Sequence, residues 1–136
     1  MRVLFIYCNR FEYKPTIQTL DFVEKMEQGR SFKKVQTAFI QVEKEDEERE
    51  SSVLKKLVKN IKWLCGKNGN KHVVLHSFAH LSESKAEPEF TKELFNKVQA
   101  KLENVDYQVE QTPFGYFLDL KVDAPGFSLA RVYKEL

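Results

Sequence analysis

At Ser51 the spacing of apolar residues changes period, and that change limits the folds open to the chain. Before it, Val3 to Tyr7 is a continuous apolar run rich in branched and aromatic residues, and "KVQTAFIQVEK" (34–44) is a second stretch of the same kind. Both predict core strands, the first central and covered on both faces. After it, Leu54, Leu57, Val58, Ile61, Leu64 and Cys65 recur at helical spacing with lysines opposite, and "GKNGN" (66–70) supplies the glycine and asparagine that stop a helix. His72 to Phe78 returns to strand. Phe90, Leu94, Val98 and Leu102 then repeat every four residues, which predicts a helix from about Pro88 to Glu103 with proline in its first turn.

The last third has period two, with Tyr116, Leu118, Leu120 and Val122 on one face and Phe117, Asp119, Lys121 and Asp123 on the other. Pro113 and Gly115 divide it into two strands. Residues 11–29 fit two patterns: Phe11, Tyr13 and Ile17 alternate like a strand that Pro15 confines to an edge, while Ile17, Leu20 and Val23 suit a short helix. We expect an extended start and a helical end stopped by Gly29. The order of strands and helices, closing on a hairpin-like pair, predicts one α/β domain with a mixed β-sheet and packed helices.

A chain of 136 residues, 42% hydrophobic, suffices for one core. No apolar run approaches the ~20 residues of a membrane span, and "MRVLFIYCNR" reads as a buried strand without a signal-peptide cleavage site. A cytoplasmic protein is expected. Cys8 and Cys65 are far apart in apolar segments, so we read both as buried small hydrophobes and not as a disulfide or zinc pair. The net charge of +2 is the difference of 22 basic and 20 acidic residues and argues neither for nor against nucleic acid. Their distribution is uneven: "EKEDEERE" (43–50) is acidic, and Lys55, Lys56, Lys59, Lys62, Lys67 and Lys71 follow as a basic run. Such a run is either the solvated face of a helix or a surface that holds a phosphate backbone.

The five glycines form neither GxxxxGK[ST] nor GxGxxG, which argues against nucleotide-triphosphate chemistry. His76 and His80 have the spacing of a zinc helix motif but lack its glutamate and lie where a strand runs into a loop, so no metal is expected. Ser77 with His80 lacks both a glycine elbow and a third group. A histidine just past the C-terminal end of a strand is where α/β sheets place ligand-contacting groups, although His80 taken alone reads equally as structural. "TPFGYF" (112–117) is a proline-glycine corner with three aromatics, read either as core packing or as an aromatic wall that stacks on a base or ribose.

"AFIQVEK" (38–44), "FAHLS" (78–82) followed by Pro88, and "PFGYF" (113–117) together resemble, in this order and at comparable spacing, the AFxxVEK, [FY]AHLSS and APFG[YW][YF]K motifs of the editing domain of archaeal threonyl-tRNA synthetases. The resemblance runs over the whole chain. It implies a D-aminoacyl-tRNA deacylase-like fold, hydrolysis of serine mischarged on threonine tRNA, assistance of the attacking water by the terminal ribose hydroxyl, and no cofactor or metal. It implies as partners the 3′ end of tRNA(Thr), a second copy in a homodimer, and a threonyl-tRNA synthetase catalytic domain in cis or in trans. No class II synthetase core follows Leu136, so the chain is expected to be either an excised domain or a free-standing editor. By matching motifs, the backbones of Val42 and Ala79 would line the pocket, His80 would contact the ribose or amino acid as the catalytic histidine, and Phe114, Tyr116 and Phe117 would form the aromatic side.

The chain departs from the family at four positions. Leu118 stands where the family has a functional lysine, Arg131 where it has a glutamate in GHPLxEL, Ser77 where it has a proline and His76 where it has a tyrosine. Leu118 and Arg131 complete the implied substrate-contacting set. Lys121 lies on the opposite strand face from the expected lysine, which leaves Lys85 or Arg131 as the substitute cation. These departures bear on amino-acid specificity and on activity. They define two rivals: a non-catalytic tRNA-binding or assembly module of the synthetase, and a deacylase of the same fold for another aminoacyl-tRNA. The glycine-proline loop of D-aminoacyl-tRNA deacylases is absent.

Overall fold

The structure is a computed structural model that describes every residue from Met1 to Leu136. Six strands, β1 (Arg2–Gln18), β2 (Arg30–Gln41), β3 (His72–Ser77), β4 (Gln108–Gln111), β5 (Tyr116–Asp123) and β6 (Arg131–Glu135), form one sheet in the order β4-β3-β2-β1-β5, with β6 also beside β1. The helices α1 (Glu50–Asn68) and α2 (Pro88–Glu103) are the crossovers that make β2, β3 and β4 parallel, while β1 is antiparallel to all its neighbours. The fold is the single α/β domain with a mixed sheet and packed helices that the sequence implied.

Both helices pack on one face of the sheet. The stripe Leu54, Leu57, Ile61, Leu64 and Cys65 meets Leu94, Phe95, Val98 and Leu102 over Val3, Phe5, Ala38, Ile40, Val73 and Leu75 in a 19-residue core. Leu57 and Ile61 are wholly buried, so truncating either to alanine costs about 2–5 kcal/mol. Gly69, at φ 66, ends α1 in the left-handed region and donates its N–H to the Cys65 carbonyl, as a C-terminal glycine does. Pro88 opens α2, where the missing N–H has no helical partner to lose. The other face of the sheet carries a smaller cluster, with Phe11, Tyr13, Phe32, Val35, Phe39 and Val74 buried and Leu4, Ile6, Leu118 and Leu120 only partly so. The central strand is therefore sealed on its helix face and half covered on the other. Cys8 and Cys65 are buried free thiols, and burial pushes them up to about 11 and about 12.

Two expectations are corrected, and one strand is added. Residues 19–29 form no helix: β1 runs on to Gln18 because β5 pairs with it as far as Gln18↔Tyr116, and that pairing takes Ile17 out of the helical pattern. Pro15 is tolerated because it lies past the last β2 pair, Tyr13↔Arg30, beside a shift in the β5 register, where its missing N–H interrupts no second ladder. The last two expected strands are not a hairpin either. β4 joins β3 at one edge of the sheet, whereas β5 joins β1 at the other, so residues 112–115 cross the end of the sheet between them. A sixth strand, β6, pairs Arg131 to Glu135 with Ile6 to Arg2.

Near the start of α1 the chain closes on a buried carboxylate. Asp46 is fully buried; its Oδ1 accepts from the Met1 α-ammonium at 3.0 Å and from Arg49 Nη2 at 2.9 Å, and its Oδ2 accepts the Glu43 N–H at 2.8 Å. Arg49 Nη2 also donates to the Leu136 carbonyl at 2.6 Å. These bonds end β2 and turn the chain through the 3-10 helix Lys44–Glu48.

Candidate active-site cleft

The crossing segment 112–115 roofs the C-terminal ends of β2 and β3, and the space beneath it is a cleft of about 300 Å³. The three motifs meet there. Val42, Ala79, Phe114, Tyr116, Phe117 and Leu118 all line it, together with residues of the first turn of α2, Pro88 and Thr91. The positive end of that helix dipole therefore faces the cleft.

Each wall is held by identifiable bonds. Gln41, almost fully buried at the end of β2, clamps the loop after β3: its Oε1 accepts the N–H groups of Leu81 at 2.5 Å and Ser82 at 2.7 Å, and its Nε2 donates to the carbonyls of Ser82 at 2.7 Å and Ser84 at 3.0 Å. Ser82 Oγ donates to Glu43 Oε2 at 2.9 Å. Burial would raise the Glu43 carboxyl, but hydrogen bonds from the Met1 α-ammonium and Ser82, with the charge of Arg2, hold it below its ordinary value. Phe78 N–H goes to the Ile40 carbonyl and Ala86 N–H to the Val42 carbonyl. The N–H groups of Ala79 and His80 have no protein partner, so this loop offers two free main-chain donors at the strand ends. The Val42 carbonyl, by contrast, is already engaged.

The corner itself is pinned by residues 19–26. Gly115 sits at φ 85, where only glycine is comfortable, and its carbonyl accepts the Thr19 N–H at 2.7 Å. Tyr116 hydroxyl donates to the Glu24 carbonyl at 2.6 Å and accepts the Met26 N–H at 2.8 Å. Phe114 turns inward against Phe95, with ring centroids 6.4 Å apart and edge to face. Phe117 is 63% exposed. The aromatic side thus has one packed ring, one ring tied by its hydroxyl and one free ring.

His80 and Arg131 are not lining residues. His80 is exposed beside Ala79, with its ring edge-on to Phe78 at 4.9 Å, outside the core and outside the inner wall. Arg131 lies on β6 and donates to the Pro125 carbonyl at 3.0 Å. Lys121 pairs with Glu12 at 3.4 Å, away from the cleft.

Two residues that sequence reasoning set aside or left open do line the cleft. Lys85 is its only cationic side chain and is in no ion pair; of the two glutamates that flank it in sequence, Glu83 and Glu87, the second pairs with Lys44. His76 is 7% exposed, with Nδ1 on Thr112 Oγ1 at 2.9 Å and its ring against Phe39 at 4.8 Å. Its Nε2 has no protein partner, yet is not among the sealed unpaired atoms, so it opens on the cleft. Burial, and then the charge of His80, lower His76 to about 4, so the imidazole is neutral at physiological pH. The pleat of a strand ending in His76-Ser77 was the signal available: it aims His76 away from the helix-covered core of Val73 and Leu75. No group of three His, Cys, Asp or Glu side chains converges to hold a metal ion.

Sheet, crossovers and end-of-sheet cleft define a D-aminoacyl-tRNA deacylase-like domain. The chain belongs to the archaea-specific editing domain of threonyl-tRNA synthetase, whose family model matches residues 1–136. It is 32% identical to a threonine–tRNA ligase of Nitrosopumilus maritimus over 136 residues, covering 98% of this chain and 21% of that ligase. It is 31% identical to the Thermococcus kodakarensis threonine–tRNA ligase over 140 residues, covering 100% of this chain and 22% of that one. The chain spans about a fifth of the length of the curated relatives it matches. A solved structure titled c-Myc DNA Unwinding Element Binding Protein superimposes with a TM-score of 0.74 at 12% identity, covering 100% of this chain and 99% of that one, a likeness of fold. No helix is long and apolar enough to cross a membrane.

Proposed function

We propose that the cleft hydrolyses the ester of mischarged seryl-tRNA(Thr). The observation that carries this reading is the convergence of three motifs, more than thirty residues apart from one to the next, on one cleft beside an unpaired cation. Water adds to the ester carbonyl, its proton taken up through the neighbouring ribose hydroxyl of the terminal nucleotide. The bond from carbonyl carbon to ribose oxygen then breaks, releasing serine and tRNA with a free 3′ end. The developing oxyanion needs donors already in place. The free N–H group of Ala79, the ammonium of Lys85 and the first turn of α2 supply that field.

In this reading Lys85 takes the part of the cation that Leu118 cannot provide. His80 holds the ribose at the mouth, Phe117 covers the nucleoside, and the Nε2 of His76 meets the substrate at the inner wall. Editing is required because a missing methyl distinguishes serine from threonine by only ~1–3 kcal/mol in a synthetic site. A cleft of this kind applies the opposite test, admitting the smaller amino acid.

The test is deacylation of seryl-tRNA(Thr) and threonyl-tRNA(Thr) by the wild type, His80→Ala and Lys85→Met. Selective removal of serine is expected, slower in both variants, with the Lys85 change falling on kcat. Background-level hydrolysis of both substrates by the wild type refutes the proposal and favours the second reading, a non-catalytic tRNA-binding module, which Leu118 supports.

A further inference from the structure

Between α1 and α2, on the surface away from the sheet, four lysines ring a shallow hollow of about 480 Å³. Lys55, Lys59 and Lys62 come from α1, Lys101 and Asn104 come from the end of α2, and Val58 lies between them. The three lysines of α1 fall at i, i+4 and i+7, so they share one helix face over about 10 Å of axis at 1.5 Å per residue. All four are exposed, and none takes part in an ion pair; Glu50, the one acidic residue of α1, is held by Lys97. A helix face that needs only to be solvated usually interleaves glutamate with lysine four apart. Here like charges sit at that spacing, which disfavours the helix unless something neutralises them. Five lysines against one glutamate in 19 residues give α1 a net charge of +4.

We infer that this hollow holds the sugar-phosphate backbone of a base-paired RNA stem. The identity of the RNA rests on the editing reading, and the choice of surface on the charge pattern. α2 begins at the cleft, with Pro88 and Thr91 in its lining, and runs from there to Lys101 at the hollow. The ten residues from Thr91 to Lys101 place the hollow about 15 Å along the helix axis from the cleft. An RNA whose single-stranded 3′ tail enters the cleft can therefore lay its first paired segment along the two helices. Lysine ammonium groups without planar, fixed forks suit phosphates and carry no base readout, so the contact is with the backbone and independent of sequence.

The test uses the folded chain with Lys55, Lys59 and Lys62 all changed to Gln, and Lys14→Gln as a control on another surface. Uncharged tRNA(Thr) transcript, phosphatidylglycerol vesicles and the minimal substrate 3′-O-seryl-adenosine are the probes. Each phosphate neutralised contributes roughly 0.7–0.9 to the slope of log affinity against log salt. The triple variant is expected to bind tRNA at least tenfold more weakly, with a slope smaller by about 2–3, while hydrolysing the minimal substrate at the wild-type rate. Wild-type affinity and slope in the triple variant overturn the inference, as does tighter binding to vesicles than to tRNA. If the wild type leaves seryl-adenosine intact while the variant still loses tRNA affinity, the editing proposal fails and this one stands.

Discussion

Gly115 is the residue whose replacement most directly tests how the cleft is roofed. Its φ of 85 is costly for an L residue, by about 1–2 kcal/mol. A Cβ there would sit 3.1 Å from Leu20 Cβ and from both Val23 methyl carbons, tighter than ordinary contact. Moving residues 20–23 by a few tenths of an ångström adds about 1 kcal/mol of overpacking. Against this, alanine narrows the unfolded ensemble and returns about 0.4–1 kcal/mol. The net expectation for Gly115→Ala is a loss of about 2 kcal/mol. Gly126 is the control, because a Cβ there meets nothing within 4 Å and its φ is not positive; Gly126→Ala should be neutral or slightly stabilising. Urea unfolding measures both. With a slope of about 2 kcal/mol per molar, the Gly115 variant should unfold about 1 M earlier than the Gly126 variant. Coincident midpoints would refute the claim that the corner needs a left-handed residue pressed against 20–23.

Three further outcomes follow from single residues. His76 titrates at about 4 in the fold and at 6.5 when unperturbed, so as pH falls from 6.5 to 4 the unfolded chain binds a proton that the fold refuses. Stability falls by up to about 3 kcal/mol across that window and is untouched above it; melts at pH 7 and pH 4.5 should differ more for the wild type than for His76→Gln, and equal differences would contradict it. Asp46→Asn removes the buried charge facing the Met1 α-ammonium and Arg49. A loss of about 3–5 kcal/mol is expected, seen in calorimetry as a Tm lowered by about 10 °C or more. Tyr116→Phe deletes both bonds to residues 24 and 26. Amide exchange in 20–27 should accelerate while the rate in α1 stays unchanged; acceleration in both would mean that the hydroxyl supports the whole fold.

Both helices were legible because their stripes are local. Leu54, Leu57, Ile61, Leu64 and Cys65, like Leu94, Val98 and Leu102, are buried as the spacing demands. What escaped depends on partners distant in sequence. Ile17, Leu20 and Val23 have helical spacing, yet β5 claims Ile17, 100 residues away in the chain at Phe117, and Tyr116 ties down the stretch that follows. The place of β4 at one edge and β5 at the other is a matter of topology, to which the alternation of Tyr116 to Val122 is indifferent. In the cleft, the motif residues were visible through family resemblance, since periodicity treats Phe114 and Phe117 as any other aromatics. Lys85 and Gln41 carry no pattern of their own. One matters for lining the cleft without an ion pair and the other for four bonds to a loop about forty residues further along the chain.

The long first strand has a consequence in time. β1 pairs along one side with β2, but its other side is shared by β5 and β6, which reach Gln18 and Arg2 only from the far third of the chain. At translation rates of ~5–20 residues per second, more than a hundred residues separate the emergence of β1 from that of β6, a delay on the order of ten seconds. Through that interval a nascent chain holds its longest strand with one edge open, able to pair with any other strand it meets. Docking of α1 and α2 on β1–β3 can precede β5 and β6, but it covers a face of the sheet and leaves that edge open. Folding yield should therefore respond to translation speed in this domain more than its size suggests.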